Sequence, residues 1–487
     1  MSASAAKGFA SRIRKARTMA GAFVLVAVTG CALLPEPTGD EVREQALGYT
    51  TIPPNWSAQA SAAQVDEGWL ASFNDPTLTK LVHEALEHNP DLLMAAARVE
   101  QANAQVDLAE AKLKPALGLL GRAGSKPIAD LVPLLSGVML RLSWEIDLWG
   151  RMRYARNAAR AARDASSADY RFAQQSLAAS VARAWFVANE TRMQMALAAE
   201  MTDAGTRLVE LSDQRLRVGA GTQSDVMVAQ ANLATYADAQ QQIELAHKQA
   251  LRALELLLGR YPAAALGVAG TLTPFPAPVP AGIPADVLER RPDMIAAQRR
   301  VAAAFDLVGE AKAAMLPTLS LSAGYGRISN EAVEMRDDLE QTTSTVAATA
   351  VVPIYTGGAL TGQVRLRTAE QKEAVADYAR RALNALDEVE DALTAERVLA
   401  ERERILREAV DANRDIVRME ESAYRIGRAD LRTVSQRQLA AWAAETALLS
   451  VQRERLSRRV DLHLALGGNF GAPSEVVPDA GATPATH

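Results

Sequence analysis

Few side chains in this 487-residue sequence are arranged for covalent or metal chemistry. Cys31 is its single cysteine, so the chain can form neither an internal disulfide nor a four-thiolate metal site. His83 and His88 are five residues apart, whereas ligands sharing one helical face stand three or four apart. No stretch reads G-x-x-x-x-G-K, G-x-S-x-G or H-E-x-x-H, the spacings that cradle phosphate, expose a nucleophilic serine or hold zinc. The expectation is a protein that is not an enzyme, with no cofactor and no metal site. The polar residues that do form a pattern are Arg141, Ser143, Glu145 and Asp147. They alternate with Val138, Leu140, Leu142, Trp144, Ile146 and Leu148. A polar row backed by an apolar row suits a boundary between water and a non-aqueous phase, not a reaction.

That alternation has period two over residues 138–148, so it predicts a strand with one apolar and one polar face. A Gly-rich partner runs over about 115–124 (Leu117, Leu119, Gly121, Ala123). Two further strands are expected at about 317–327 (Leu319, Leu321, Ala323, Tyr325) and 342–355 (Val346, Ala348, Ala350, Val352, Ile354). Each is about ten residues long, the length of a tilted transmembrane strand. Trp144, Trp149, Tyr325 and Tyr355 fall near strand ends, where membrane-interface aromatics belong; packing against neighbouring segments accounts for them nearly as well. The rest reads as long helix. No Gly or Pro interrupts 151–204 or 363–426, and the latter stretch is roughly 96 Å of helix at about 1.5 Å per residue. Long helices are expected over 151–218, 222–258, 363–426 and 428–466. They are far longer than the usual 11–12 residues, so they must pack on one another in coiled-coil fashion. Alanines such as Ala155, Ala158, Ala161 and Ala165 allow close approach.

The chain also contains itself twice. Asn89-Pro90-Asp91 matches Arg291-Pro292-Asp293 and Pro115-Ala116-Leu117 matches Pro317-Thr318-Leu319, both at an offset of 202. Arg217-Val218-Gly219 matches Arg425-Ile426-Gly427 and Leu258-Gly259 matches Leu466-Gly467, both at 208. The copies span 77–259 and 284–467, with a Pro-rich connector at 260–283 and a longer loop of the second copy between 326 and 346. Residues 31–76 precede the first copy, and the tail 468–487, rich in Ala, Pro and Gly, reads as disordered.

The N-terminus is an address. Residues 1–30 carry Lys7, Arg12, Arg14, Lys15 and Arg17 and no acid, followed by the short apolar run Met19–Val28, the layout of a secretory signal. Val28-Thr29-Gly30-Cys31 resembles the bacterial lipoprotein lipobox, which implies lipid attachment at Cys31. Ala32 in place of Asp implies the outer membrane. Removing the signal takes the net charge from −5 to −10, and an acidic balance argues against a nucleic-acid binder.

Strands facing lipid must close into a barrel, because an open edge leaves N–H and C=O groups unpaired in hydrocarbon. Closure takes at least eight strands and one chain supplies four. Two chains give a barrel filled by its own side chains; three give twelve strands and room for a lumen.

The lipobox, the paired Asn/Arg-Pro-Asp helix starts, the segment Trp144-Glu145-Ile146-Asp147-Leu148-Trp149-Gly150-Arg151 and the Val-Gly and Ile-Gly helix tips together resemble the TolC-like outer-membrane efflux proteins, in particular the lipoprotein outer-membrane factors of tripartite systems. The resemblance implies a mainly α fold with a transmembrane β-barrel: a homotrimer whose twelve-stranded barrel continues as a long α-helical barrel in the periplasm, with a collar formed by the termini and connector. It implies a passive exit duct, lipid-anchored in the bacterial outer membrane. Its partners would be a periplasmic adaptor and an inner-membrane transporter of the resistance–nodulation–division class. It assigns adaptor docking to Arg217, Val218, Gly219, Gly221 and Thr222 of the first tip and Arg425, Ile426 and Gly427 of the second. It assigns the periplasmic aperture to Asp225, Thr433 and Gln436, where relatives often carry Asp at the last two. The alternative reading is a lipid-anchored periplasmic coiled-coil scaffold without a pore; Arg141, Ser143, Glu145 and Asp147 as a wet barrel lining argue for the duct.

Overall fold

The computed structural model describes residues 35–58, 68–122, 136–329 and 341–470. The signal segment with Cys31 and the tail from 471 lie outside the described residues. In chain order the elements are α1 (Gly39–Leu47), α2 (Pro76–His88), α3 (Pro90–Ala111), β1 (Ala116–Arg122), β2 (Ser136–Ile146), α4 (Arg151–Arg217), α5 (Gln223–Leu257), α6 (Pro284–Arg290), α7 (Pro292–Ala313), β3 (Thr318–Ser329), β4 (Gln341–Val351), α8 (Ala359–Arg425) and α9 (Leu431–Ala465). The duplication is literal in length: α3 and α7 have 22 residues each, α4 and α8 have 67, α5 and α9 have 35.

The chain divides into two compact units. One holds α1, residues 98–167, and residues 296–379, and so contains the whole sheet. The four strands are antiparallel in the order β1-β2-β3-β4. The register joins Leu117 to Leu142, Leu142 to Ala323 and Ala323 to Val346, and it joins Gly118 to Arg141, Arg141 to Gly324 and Gly324 to Thr345. Side chains directly opposite share a face. One face is therefore mainly Leu, Val, Ala and Trp, with Arg327, Thr342 and Ser344 toward the hairpin end, and the other is mainly Arg, Ser, Thr, Glu and Gly, with Leu120 and Met139 among them. The apolar face is exposed, Leu119 at 72% and Val346 at 87%. Ala116 pairs with Ser143 and Thr318 with Val351, which puts the six additional residues of the second copy in the β3–β4 hairpin.

Three expected boundaries are corrected. β4 ends at Val351, not at 355, because Pro353 has no N–H to extend a ladder. β2 ends at Ile146, leaving Asp147 and Leu148 outside the strand. Helix α8 begins at Ala359, running through Gly362. In the first copy α4 likewise continues through Gly205, where a Cβ would sit 2.9 Å from the ring of Tyr236; the ring of α5 takes the space that a side chain would need.

The second unit holds residues from 50 to 97, 168–295 and 380 onward. Its core packs Trp69, Phe73, Leu78 and Val82 against Trp185, Phe186, Leu254 and Leu258. Asp75 caps α2 through the N–H groups of Thr77 and Leu78 and also accepts the Trp185 indole N–H at 2.7 Å. The connector is fixed by charge. Glu255, 3% exposed, accepts the N–H groups of Ala264, Ala265 and Leu266. Arg455 and Arg459 lie over the Phe275 ring at 3.7 and 4.5 Å, and fully buried Arg459 pairs with Glu396. The two helix starts are built alike: Asn89 donates to the Leu257 carbonyl at 3.0 Å and Arg291 to the Ala465 carbonyl at 3.2 Å, the same position at the end of the second long helix in each copy.

Two buried titratable groups give the stability opposite pH slopes. Burial pushes the His463 imidazole, stacked on Trp69, down to about 3, helped by the charge of Arg459. The unfolded chain then binds the extra proton first, so this contribution is present above about pH 6.5 and is lost as pH falls toward 3. Burial pushes the Asp306 carboxyl up to about 7, with the Glu36 carboxyl adding to the rise. The folded chain holds that proton longer, so this contribution is present below about pH 4 and is lost as pH rises through 7. Replacing His463 with Phe should flatten the acid limb of a plot of melting temperature against pH, and replacing Asp306 with Asn should flatten the limb between pH 4 and 8. Unchanged slopes in both variants would refute the assignment.

Candidate functional site

Among the described residues, the groups that could act are the strand face, the corner where β2 turns into α4, and the two helical tips. Among the described residues no three His, Cys, Asp or Glu side chains converge as metal ligands. His83 Nδ1 faces its own helix at the Thr79 carbonyl, 2.8 Å away.

At the strand face, Arg141, Ser143 and Glu145 lie on the polar side of β2. Gly326 sits on the same side of β3, where an added Cβ would fall 2.4 Å from the Val138 carbonyl oxygen; adjacent backbones crowd together on that side. Asp147 does not belong to this row. It lies past the end of β2, accepts the backbone N–H groups of Met152 and Arg153 at 3.1 and 3.0 Å, and binds the Arg153 guanidinium at 3.1 Å. It is a cap for α4, placing a carboxylate at the positive end of a 67-residue helix.

The corner uses every polar residue of the segment 144–151. Trp144 donates its indole N–H to the Leu113 carbonyl at 3.0 Å and Trp149 to that of Pro317 at 2.7 Å. Glu145 pairs with Arg151 at 2.7 Å. Gly150 turns the chain at φ 79°, a left-handed conformation that favours glycine. Trp144 and Trp149 thus fasten β2 to the segments before β1 and β3, whereas Tyr325 and Tyr355 are exposed. The roles of Asp147 and Trp149 were hidden in sequence, because period-two alternation carries straight on through a residue that has already left the strand.

The tips are near-copies. Gly219 and Gly427 have φ of 76° and 77°. In the first tip, Gly219 N–H donates to the Leu216 carbonyl and Ala220 N–H to that of Arg215; in the second, Gly427 donates to Tyr424 and Arg428 to Ala423. These paired bonds are the Schellman arrangement that closes a helix on a left-handed residue. The next helix is then capped three residues on. Thr222 and Asp225 form a capping box on α5: the Asp225 N–H donates to Thr222 Oγ1 at 3.2 Å and the Thr222 N–H donates to Asp225 Oδ2 at 2.9 Å. In α9 the same two positions are exchanged. Asp430 is the cap, accepting the Thr433 N–H at 2.7 Å, and that bond leads the interactions that hold its carboxyl below the ordinary range. The caps explain why α5 and α9 start at Gln223 and Leu431 and not directly after the glycines. Gln436 is exposed on α9 and Gly221 packs against the Arg215 backbone. Arg217 pairs with Asp213.

The side chains holding one tip to the other differ. Arg215 donates to the Tyr424 carbonyl at 2.8 Å and to the Ala220 carbonyl at 2.9 Å, with its guanidinium 4.8 Å from the Tyr424 ring centre. Leu208, Ala229, Tyr424, Leu431 and Val434 form a small core beneath it. Outside that clasp, Val218 and Ile426 stand 77% and 68% exposed at corresponding points of the two tips.

The sequence matches the profile of a family described as outer membrane efflux protein over residues 81–260 and 283–468, the two copies of the repeat. The chain belongs to that family. It is 30% identical over 469 residues to the solvent efflux pump outer membrane protein SrpC of Pseudomonas putida, covering 92% of this chain and 97% of the relative. It is 30% identical over 447 residues to the outer membrane protein OprJ of Pseudomonas aeruginosa, covering 88% and 92%. Its fold matches the solved outer-membrane channel OprN with a TM-score of 0.78 at 26% identity, covering 90% of this chain and 99% of that one. The protein is a TolC-type outer-membrane channel, the exit duct of a tripartite efflux system. It sits in the outer membrane and extends into the periplasm, and the family is one of channels, not enzymes.

The Arg215 clasp is testable without a partner. Replacing Arg215 with Ala removes two hydrogen bonds and a cation–π contact, a loss of about 1–2 kcal/mol. Amide hydrogen exchange in 218–226 and 424–432 should accelerate roughly tenfold, while amides of the sheet stay unchanged. Equal acceleration everywhere would mean a global effect and refute the local role.

Proposed function

We propose that three copies of this chain close their sheets into one twelve-stranded barrel and continue it as a helical duct, through which solutes pass from an inner-membrane transporter of the resistance–nodulation–division class and a periplasmic adaptor. The observation that carries this reading is the sheet: four strands with both edges open, β1 and β4, and an exposed, mainly apolar face. Two copies would leave no lumen; three supply one. The crowding at Gly326 on the polar side supports that side as the concave one, so Arg141, Ser143 and Glu145 line water and Leu117, Leu119, Leu140 and Leu142 face lipid.

In this reading residues 31–76 and the connector 260–283 form the collar, and an acyl chain on Cys31 contributes an anchor worth about 0.8 kcal/mol per buried methylene. The tips dock the adaptor through Arg217, Val218, Gly219, Gly221, Thr222, Arg425, Ile426 and Gly427. The free space beside Gly219, where a Cβ would meet nothing within 4 Å, supports an open docking surface. The aperture holds Asp225, Thr433 and Gln436. One carboxylate per chain, already engaged in a helix cap, makes a weakly cation-selective ring.

Reconstituted in a planar bilayer, the purified protein should give discrete conductance steps. Properly folded trimers without conductance would favour the poreless scaffold. Replacing Gly219 or Gly427 with Trp should abolish efflux while trimers and conductance persist, because the new side chain projects into the space where the adaptor sits; retained efflux in both variants would contradict docking at the tips.

A further inference from the structure

The two tips share a backbone but not a charge. Residues 217–229 hold one arginine, Arg217, and one acid, Asp225; the corresponding residues 425–437 hold Arg425, Arg428, Arg432 and Arg437 against Asp430 alone. Three of these arginines stand where the first copy has Ala220, Ser224 and Ala229. All four are exposed, and among the described residues none of them makes an ion pair, whereas Arg217 is paired with Asp213. Asp430 offsets only one of them: its carboxylate accepts the Thr433 N–H and also feels the charge of Arg432. Arg428 and Arg432 moreover flank the N-terminus of α9, the positive end of the helix, where cations are disfavoured. Residues 425–437 thus carry a net charge of +3 where residues 217–229 carry none.

We propose that the second tip is a recognition surface for acidic side chains on the tip of a periplasmic helical hairpin, with Ile426 as the apolar contact and Arg425, Arg428, Arg432 and Arg437 as its charged rim. The proposal rests on the docking reading above and adds the chemistry of the partner. A protein is favoured over a small anion because Ile426 and Val218 are exposed beside the arginines, and an apolar centre inside a polar rim is the anatomy of a protein interface. Arginine is suited to the task by its planar, bidentate donors. The first tip, with balanced charge, offers no such charged rim, so the charge asymmetry also tells a partner which of the two tips it faces.

The test uses the full-length protein in detergent and two stapled helical hairpins with the same Leu tip, one flanked by four Glu and the other by four Lys. The Glu hairpin should bind at least tenfold more tightly at 50 mM salt, and the preference should shrink to about twofold or less at 500 mM. The double variant R428E/R432E should reverse the preference, R428K/R432K should keep most of it, and I426S should weaken both hairpins severalfold. Equal binding of the two hairpins, binding of neither, or an unaltered preference in R428E/R432E overturns the proposal. Full affinity of I426S for the Glu hairpin also overturns it, because the patch would then be a nonspecific anion site. If Trp at Gly219 and Gly427 blocks both hairpins while charge reversal changes nothing, docking at the tips stands and the acidic partner falls.

Discussion

The unpaired edges of a four-stranded sheet are the constraint on which this protein turns. Among the described residues β1 and β4 each present a row of backbone donors and acceptors with no partner strand, and the face they border is largely apolar and exposed. In water such a sheet would aggregate; in hydrocarbon each orphaned group costs several kcal/mol. Closure with other copies removes both liabilities at once. Within the chain, alanine and glycine positions along the helices keep the packing tight: Ala158, Ala161 and Ala165 are buried in α4, and Gly309 leaves room for the Tyr154 ring, 2.6 Å from where its Cβ would be.

Duplication supplied equal helix lengths and equal tip backbones, and divergence then gave the copies different work. Asn89 and Arg291 make the same bond to the end of the second long helix, yet Arg291 also carries Asp293 and the half-exposed Glu388, partners for a buried guanidinium that Asn89 does not need. At the tips the threonine and aspartate of the cap trade places, so helix initiation is conserved while the charge presented around it is not. The Arg215 clasp has no counterpart in the second copy, where the matching residue is Ala423; one copy holds and the other is held.

Much of this was legible in the residues. Strand alternation, the uninterrupted helical stretches, the offset of 208 between Gly219 and Gly427, and the glycine turns all follow from local sterics and periodicity, which act over a few residues and need no tertiary information. The expectation of partner copies came from counting strands against what closure requires. Local pattern failed where two elements meet. Asp147 continues the alternation of β2 but belongs to α4, since the hydrogen bonds that claim it come from Met152 and Arg153. Ile354 and Tyr355 extend the pattern of β4, but Pro353 had already ended the ladder.

By itself the sequence determined the secondary structure, the internal repeat and the two-faced character of the strands, because these depend on side-chain type and spacing along one chain. Only the tertiary structure decided which polar residues are spoken for. Glu145, Asp147, Asp225 and Asp430 are all acids near an expected pore or tip, and each proves to be bonded to a helix start or an arginine. Among the described residues the arginines of the second tip form no ion pair, and they outnumber the single nearby acid Asp430. Whether a charge is free is a property of what lies within hydrogen-bond reach in three dimensions, and spacing along the chain does not carry that information.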